Sequence, residues 1–130
     1  MTIYPEGGSA NGTLAYGLMI SGFQPKGIGS KELDAVLREL MADIEQANPD
    51  LQIANSPIAF TLHDRQARKL DWFGKSTVQE NGQPLRERVR LVALMGGSNV
   101  ILYLAFVAPD PDFEALWPTF ERMLDSLQVR

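Results

Sequence analysis

The sequence contains one histidine, His63, and that side chain is its only natural acid–base group at neutral pH. Catalysis by an imidazole needs a second group to hold the ring and a nucleophile for it to act on. Asp64 is the next residue along the chain and cannot orient the ring in triad geometry, and no Gly-x-Ser-x-Gly elbow supplies a serine. His63 therefore reads as a surface turn residue between two strand-like segments. One histidine cannot build a His-rich metal site. The absence of cysteine removes thiol catalysis, zinc–thiolate sites, iron–sulfur clusters and disulfides.

Two further groups have the residue types for anion binding. Gly22 to Ser30 is glycine-rich, follows a strand-like segment and opens a helix, which is where backbone N–H groups cradle phosphate. A P-loop would need Gly-Lys-Ser/Thr at its end, but Gly27 is followed by Ile28 and Gly29, and Lys31 comes after Ser30. The third glycine of a dinucleotide fingerprint is missing as well. Gly27, Gly29 and Ser30 are thus a strand-to-helix turn first and an anion contact second. Arg86, Arg88 and Arg90 alternate, so on a strand they project from one face. With Arg65, Arg68 and Lys69 on a neighbouring strand they would form a basic patch for an acidic partner or a phosphate. The competing reading is a charged sheet face paired with Glu80 and Glu87. Asp110, Asp112 and Glu114 lack the ligand spacing of a calcium loop and read as acids at a helix start. No cofactor motif and no metal-ligand set is present.

The elements that must position these groups follow from hydrophobic pattern. The chain has 130 residues, 45% of them hydrophobic, the size and composition of one domain spanning residues 1–130. Twelve basic and sixteen acidic residues give a formal charge of -4, which argues against nucleic acid as a partner. The longest apolar run, Val100 to Ala108, is far too short to span a bilayer.

Thr2 to Pro5 reads as a short strand, and Leu14 to Phe23 alternates as a longer one. Its small face (Ala15, Gly17, Met19, Ser21) suits close packing of a helix. Leu33, Val36, Leu37, Leu40, Met41 and Ile44 recur at three and four, predicting a helix capped by Ser30 and stopped at Asn48-Pro49. Ile58 to Leu62 and Gln66 to Phe73 read as strands around a tight His63-Asp64 turn, and Gly74 to Pro84 as a surface loop. Arg88 to Met95 and Val100 to Ala108 form a hairpin across Gly96 to Asn99, the second arm central in the sheet. Asp110 or Asp112 caps a closing helix whose buried stripe is Phe113, Leu116, Trp117, Phe120, Leu124 and Leu127, with a kink or short turn expected at Pro118.

The element order and one stretch of sequence carry a resemblance. Leu102-Tyr103-Leu104-Ala105-Phe106-Val107-Ala108-Pro109, followed by Phe113, Phe120, Met123-Leu124 and Ser126-Leu127, resembles the last strand, acidic Pro-containing turn and final helix of the PsbP-like superfamily. That group includes the photosystem II extrinsic P protein and the Ran-release factor. More narrowly, the chain is similar to the domain that follows the catalytic region of some bacterial zinc metalloproteases, with Arg65-Gln66-Ala67 and Gly74-x-Ser76 at comparable places.

The resemblance implies an α+β fold, an antiparallel sheet flanked by two main helices in an α/β/α sandwich. It also implies an N-terminal truncation, since the superfamily's Pro-x-x-Trp segment is missing. The function it implies is a non-catalytic accessory or protein-interaction domain of a larger bacterial polypeptide, extracytoplasmic, with any protease activity outside these residues. A small anionic-ligand binding domain is the alternative. The expected partners are a protein or the rest of the parent chain, without nucleic acid or membrane insertion, and a homodimer through an exposed sheet edge.

Overall fold

The protein's structure, a computed structural model, describes residues 2–3, 9–10, 13–14, 16–23, 33–95 and 101–126, with side chains described for all but 2–3, 9–10, 13–14, 76–80 and 95. Nine strands and two helices occur among the described residues. They run β1 (Thr2–Ile3), β2 (Ser9–Ala10), β3 (Thr13–Leu14), β4 (Gly17–Phe23), α1 (Leu33–Ala47), β5 (Gln52–Ile53), β6 (Ile58–Leu62), β7 (Arg65–Glu80), β8 (Gln83–Met95), β9 (Ile101–Pro109) and α2 (Asp110–Asp125).

The main sheet is antiparallel throughout and ordered β1-β4-β9-β8-β7-β5, with β6 also paired to β7. β9 lies between β4 and β8, and this explains why its apolar residues occupy both faces: each face meets a helix. On one side Val89, Leu91, Ala93, Ala105 and Val107 pack under Leu33, Val36, Leu37, Leu40 and Met41 of α1. On the other, Val92, Leu94, Leu104, Phe106 and Ala108 pack under Phe113, Phe120 and Leu124 of α2. Each fully buried Leu or Phe contributes roughly 1.5–3 kcal/mol. The α/β/α sandwich expected from the sequence is therefore the observed fold.

Four local expectations are corrected. Gly74 to Pro84 is mostly strand: β7 runs to Glu80, β8 starts at Gln83, and Asn81 and Gly82 make the turn with φ of 54° and 76°. The segment is polar because β9 ends opposite Glu87, so beyond that row the ribbon has no sheet core for an apolar pattern to serve. The Asp capping of α2 is absent. Pro109 occupies the N-cap without a side-chain bond, and Asp110 and Asp112 turn to Arg86 and Tyr16 instead. Of the two outcomes expected at Pro118, the short turn is ruled out, because the helix continues through it without a break in its span. Finally, the small face of β4 is covered only in part: Gly17 is buried and Phe23 packs on the α1 side, but Met19 is exposed, while Tyr16, Leu18 and Ile20 pack on the α2 side. Two predicted positions, Ser30 as cap and Leu127 in the stripe, lie outside the described residues, as does the Gly96 to Asn99 turn.

The α1 end agrees with its sequence signal. Asn48 donates its side-chain amide to the Ile44 carbonyl at 2.9 Å and its backbone N–H to the same oxygen at 3.0 Å, closing the last turn before Pro49.

Candidate functional site

The arginine row lies where alternation placed it, on one face of β8, and that face looks toward α2. Pairing with β7 sets Asp71 opposite Arg90, Phe73 opposite Arg88 and Lys75 opposite Arg86. Antiparallel pairing brings directly opposed side chains within contact reach, and here it brings acid to base. Arg90 donates from Nε to Asp71 Oδ1 at 2.7 Å and from the guanidinium tip to Oδ2 at 2.9 Å. Arg88 donates to the same Oδ2 at 3.0 and 2.6 Å and reaches Glu114 of α2 at 2.8 Å. Arg86 donates from Nε to Asp110 at 3.1 Å and makes a second, shorter contact to the same oxygen.

Aromatic rings close the network from above. The Arg90 guanidinium lies 4.2 Å from the Trp117 ring centre and 5.1 Å from that of Phe113, and Arg88 lies 4.8 Å from Phe113. Arg86 sits 4.1 Å over Phe73. Trp117 in turn meets Phe106 edge-on at 5.5 Å, so the lid is continuous with the α2-side core.

Three guanidiniums thus face three carboxylates: Asp71, Asp110 and Glu114. Asp71 is 7% exposed. Burial acts to raise its pKa, but the hydrogen bonds from Arg90 and Arg88 and their charges outweigh it, and the carboxyl sits below its ordinary value. Burial likewise acts to lower Arg88, and the bonds and charges of Asp71 and Glu114 leave it raised. These arginines are internally neutralised donors.

Two of the other predicted basic residues, Arg68 and Lys69, find partners away from the row. Arg68 projects from the opposite face and donates to Asp34 of α1 at 2.9 Å, while Lys69 lies 5.4 Å from the Phe60 ring. Glu87 does not pair with the arginines either, because its odd position faces the α1 side. Burial there pushes its carboxyl up to about 7. The side chain of Glu80 lies outside the described residues, and so do Gly27, Gly29 and Ser30. His63 is the exposed first residue of a two-residue turn, with φ of 49° and 63° at His63 and Asp64, and its Nε2 lies 3.4 Å from the Leu124 carbonyl oxygen. Among the described residues no three acidic or histidine side chains gather as metal ligands would. No helix there is long and apolar enough to cross a membrane.

A second feature lies on the α1 side and is not marked by any sequence motif. α1 and the segment joining β5 to β6 bound an open cleft of about 770 Å³. Leu37, Met41 and Leu70 line it from the core, and Ile53 and Pro57 from the opposite wall. Asp34, Arg38, Ala42 and Glu45 line it from the helix. Asn55 holds the far wall in place: its side-chain oxygen accepts the Asp71 N–H at 3.0 Å, and the neighbouring Ala54 N–H donates to the Asp71 carbonyl at 2.9 Å. Ile53 and Ile58, on either side of that wall, are 46% and 50% exposed.

No protein-family model matches this chain, and no curated protein matches it significantly. Solved structures do. A Pseudomonas aeruginosa protein of unknown function with a suggested regulatory role superposes with a TM-score of 0.60 at 12% identity, over 100% of this chain and 96% of the other. Cyanobacterial PsbP (CyanoP) from Synechocystis sp. PCC 6803 superposes with a TM-score of 0.61 at 11% identity, over 100% of this chain and 81% of the other. At such identities the likeness is one of architecture. The sheet order, the helix on each face and these superpositions together give the chain a PsbP-like fold.

Proposed function

We propose that this chain is a non-catalytic accessory domain that docks protein partners, built into a larger bacterial polypeptide such as a zinc metalloprotease. The observation that carries the reading is the open cleft on the α1 side, with an apolar floor and two exposed isoleucines beside it. A concave site with an apolar floor and polar groups at its rim lets a partner bury apolar side chains while its charges stay hydrated. The suggested regulatory role of the Pseudomonas aeruginosa neighbour points the same way.

The test is binding of a library of short apolar peptides to the wild-type chain and to Ala42→Trp, a change at an exposed helix position that fills the cleft. Binding to wild type and its loss in the folded variant support docking; binding equal in both, or none, overturns it. The parent polypeptide is tested by the coding sequence upstream in frame, where a His-Glu-x-x-His segment is the expected finding. Self-association through a sheet edge belongs to the same proposal, and a monomeric mass in light scattering contradicts it.

The alternative reading, a small-anion site at Arg86, Arg88 and Arg90, rests on Arg86, whose side chain is 59% exposed. Phosphate binding lost in Arg86→Ala would favour it. The pairing of all three arginines with carboxylates weighs against it.

A further inference from the structure

On α1, the residues lining the cleft form one stripe: Asp34, Arg38, Ala42 and Glu45. Asp34 is engaged, because Arg68 donates to it from the sheet at 2.9 Å. Arg38 and Glu45 are exposed, and among the described residues no ion pair engages either one. They stand seven residues apart, two helical turns, so their backbones are about 10 Å apart along one face. Between them the helix presents Ala42, the smallest side chain of the stripe, and beneath that gap lie Met41 and Leu70. The cleft is therefore positive at one end, apolar and open in the middle, and negative at the other end.

We infer that the occupant is an extended peptide segment carrying one acidic and one basic residue three positions apart with apolar residues between them. In the polyproline II form an extended chain rises about 3.1 Å per residue with about three residues per turn, so residues three apart share a face about 9 Å apart, close to the Arg38–Glu45 spacing. The acid meets Arg38, the base meets Glu45, and an apolar side chain fills the gap over Ala42 onto Met41 and Leu70. Arg38 suits a carboxylate because its planar fork donates two parallel bonds. A segment with two acids would place one against Glu45, and one with two bases would place one against Arg38, so the site selects by repulsion as well as attraction. This inference rests on the docking role proposed above and adds the chemistry of the partner.

The test uses the full chain and three blocked peptides of the same length with a Leu-Leu centre. Their flanking residues are Asp and Lys, Asp and Asp, or Lys and Lys. Affinities are read by fluorescence polarisation, and contact is located by NMR shifts of the Leu37, Ile53 and Leu70 methyl groups. The mixed peptide is expected to bind about tenfold more tightly than either like-charged one. Arg38→Glu should transfer the preference to the Lys-Lys peptide, and Glu45→Arg to the Asp-Asp peptide. Both changes are at exposed positions, and a circular dichroism spectrum checks that each variant folds. Equal binding of the three peptides, or no switch in the variants, overturns the charge pattern and leaves a docking cleft. Absence of any peptide binding or methyl shift overturns both.

Discussion

Arg90 lies directly across the β7–β8 pairing from Asp71, donates to both of its carboxylate oxygens at 2.7 and 2.9 Å, and stacks 4.2 Å from Trp117. Arg88 shares the same aspartate from the next position on that face. Two of the arginines that the sequence presents as a surface patch, Arg88 and Arg90, are thereby a partly buried support for α2.

Removing the shared acid leaves two partly buried guanidiniums without their partner. Asp71→Ala is expected to cost about 3–5 kcal/mol, read as a lower urea midpoint. Replacing Asp71, Arg88 and Arg90 together by Leu or Met should recover most of that loss, because desolvating the ions offsets much of their attraction. A triple variant as unstable as Asp71→Ala would show that the ions themselves hold the fold.

Acid should weaken the same network. Asp71 has its folded pKa below the ordinary 3.8, so its contribution is fully present above that value and is lost as pH falls through the depressed folded one. Thermal scans of wild type and Asp71→Asn should therefore converge as pH drops below about 4. A difference that stays constant to low pH would contradict the pairing.

Glu87 works in the opposite sense. Its carboxyl is raised from 4.5 to about 7 by burial, so the folded state holds the proton longer than the unfolded state does. Its contribution is fully present below the unfolded value and is lost as pH rises toward 7. Glu87→Gln should match wild type near pH 4.5 and exceed it above pH 7 by on the order of 1–2 kcal/mol, allowing for water's screening of a partly open group. Denaturant titrations at the two pH values decide it.

Gly82 turns the β7–β8 ribbon with φ of 76°, and a Cβ there would meet nothing within 4 Å. The cost of Gly82→Ala is thus conformational alone, about 1 kcal/mol, whereas a variant as stable as wild type would mean that the turn readily takes another form.

Pro118 removes one backbone donor inside α2, an interior position that ordinarily costs about 3 kcal/mol. Pro118→Ala should raise the melting temperature, unless the proline's backbone is what sets Trp117 over Arg90. In that case the variant gains nothing, and its tryptophan emission shifts to longer wavelength.

The patterns legible in the sequence were those that local physics enforces. Period 3.6 over Leu33 to Ile44 and the β-branched, apolar run ending at Pro109 gave α1 and β9, because a helix or a central strand must bury a repeating face whatever surrounds it. Alternation also put Arg86, Arg88 and Arg90 on one face, since side-chain direction along a strand is a local property. Partners are not local. Asp71 is 17 residues from Arg88 and Glu114 is 26 away, and only the β7–β8 register and the placement of α2 over that face bring them together. The visible signal for Asp71 was a lone acid between Leu70 and Trp72, in a strand that should bury its neighbours. The cleft is less legible still. Arg38 and Glu45 look like the solvated face of a helix until tertiary packing sets Ile53, Pro57 and Leu70 across from them. Composition and periodicity decide which elements form, but which charges meet depends on the register and layering that the whole chain adopts.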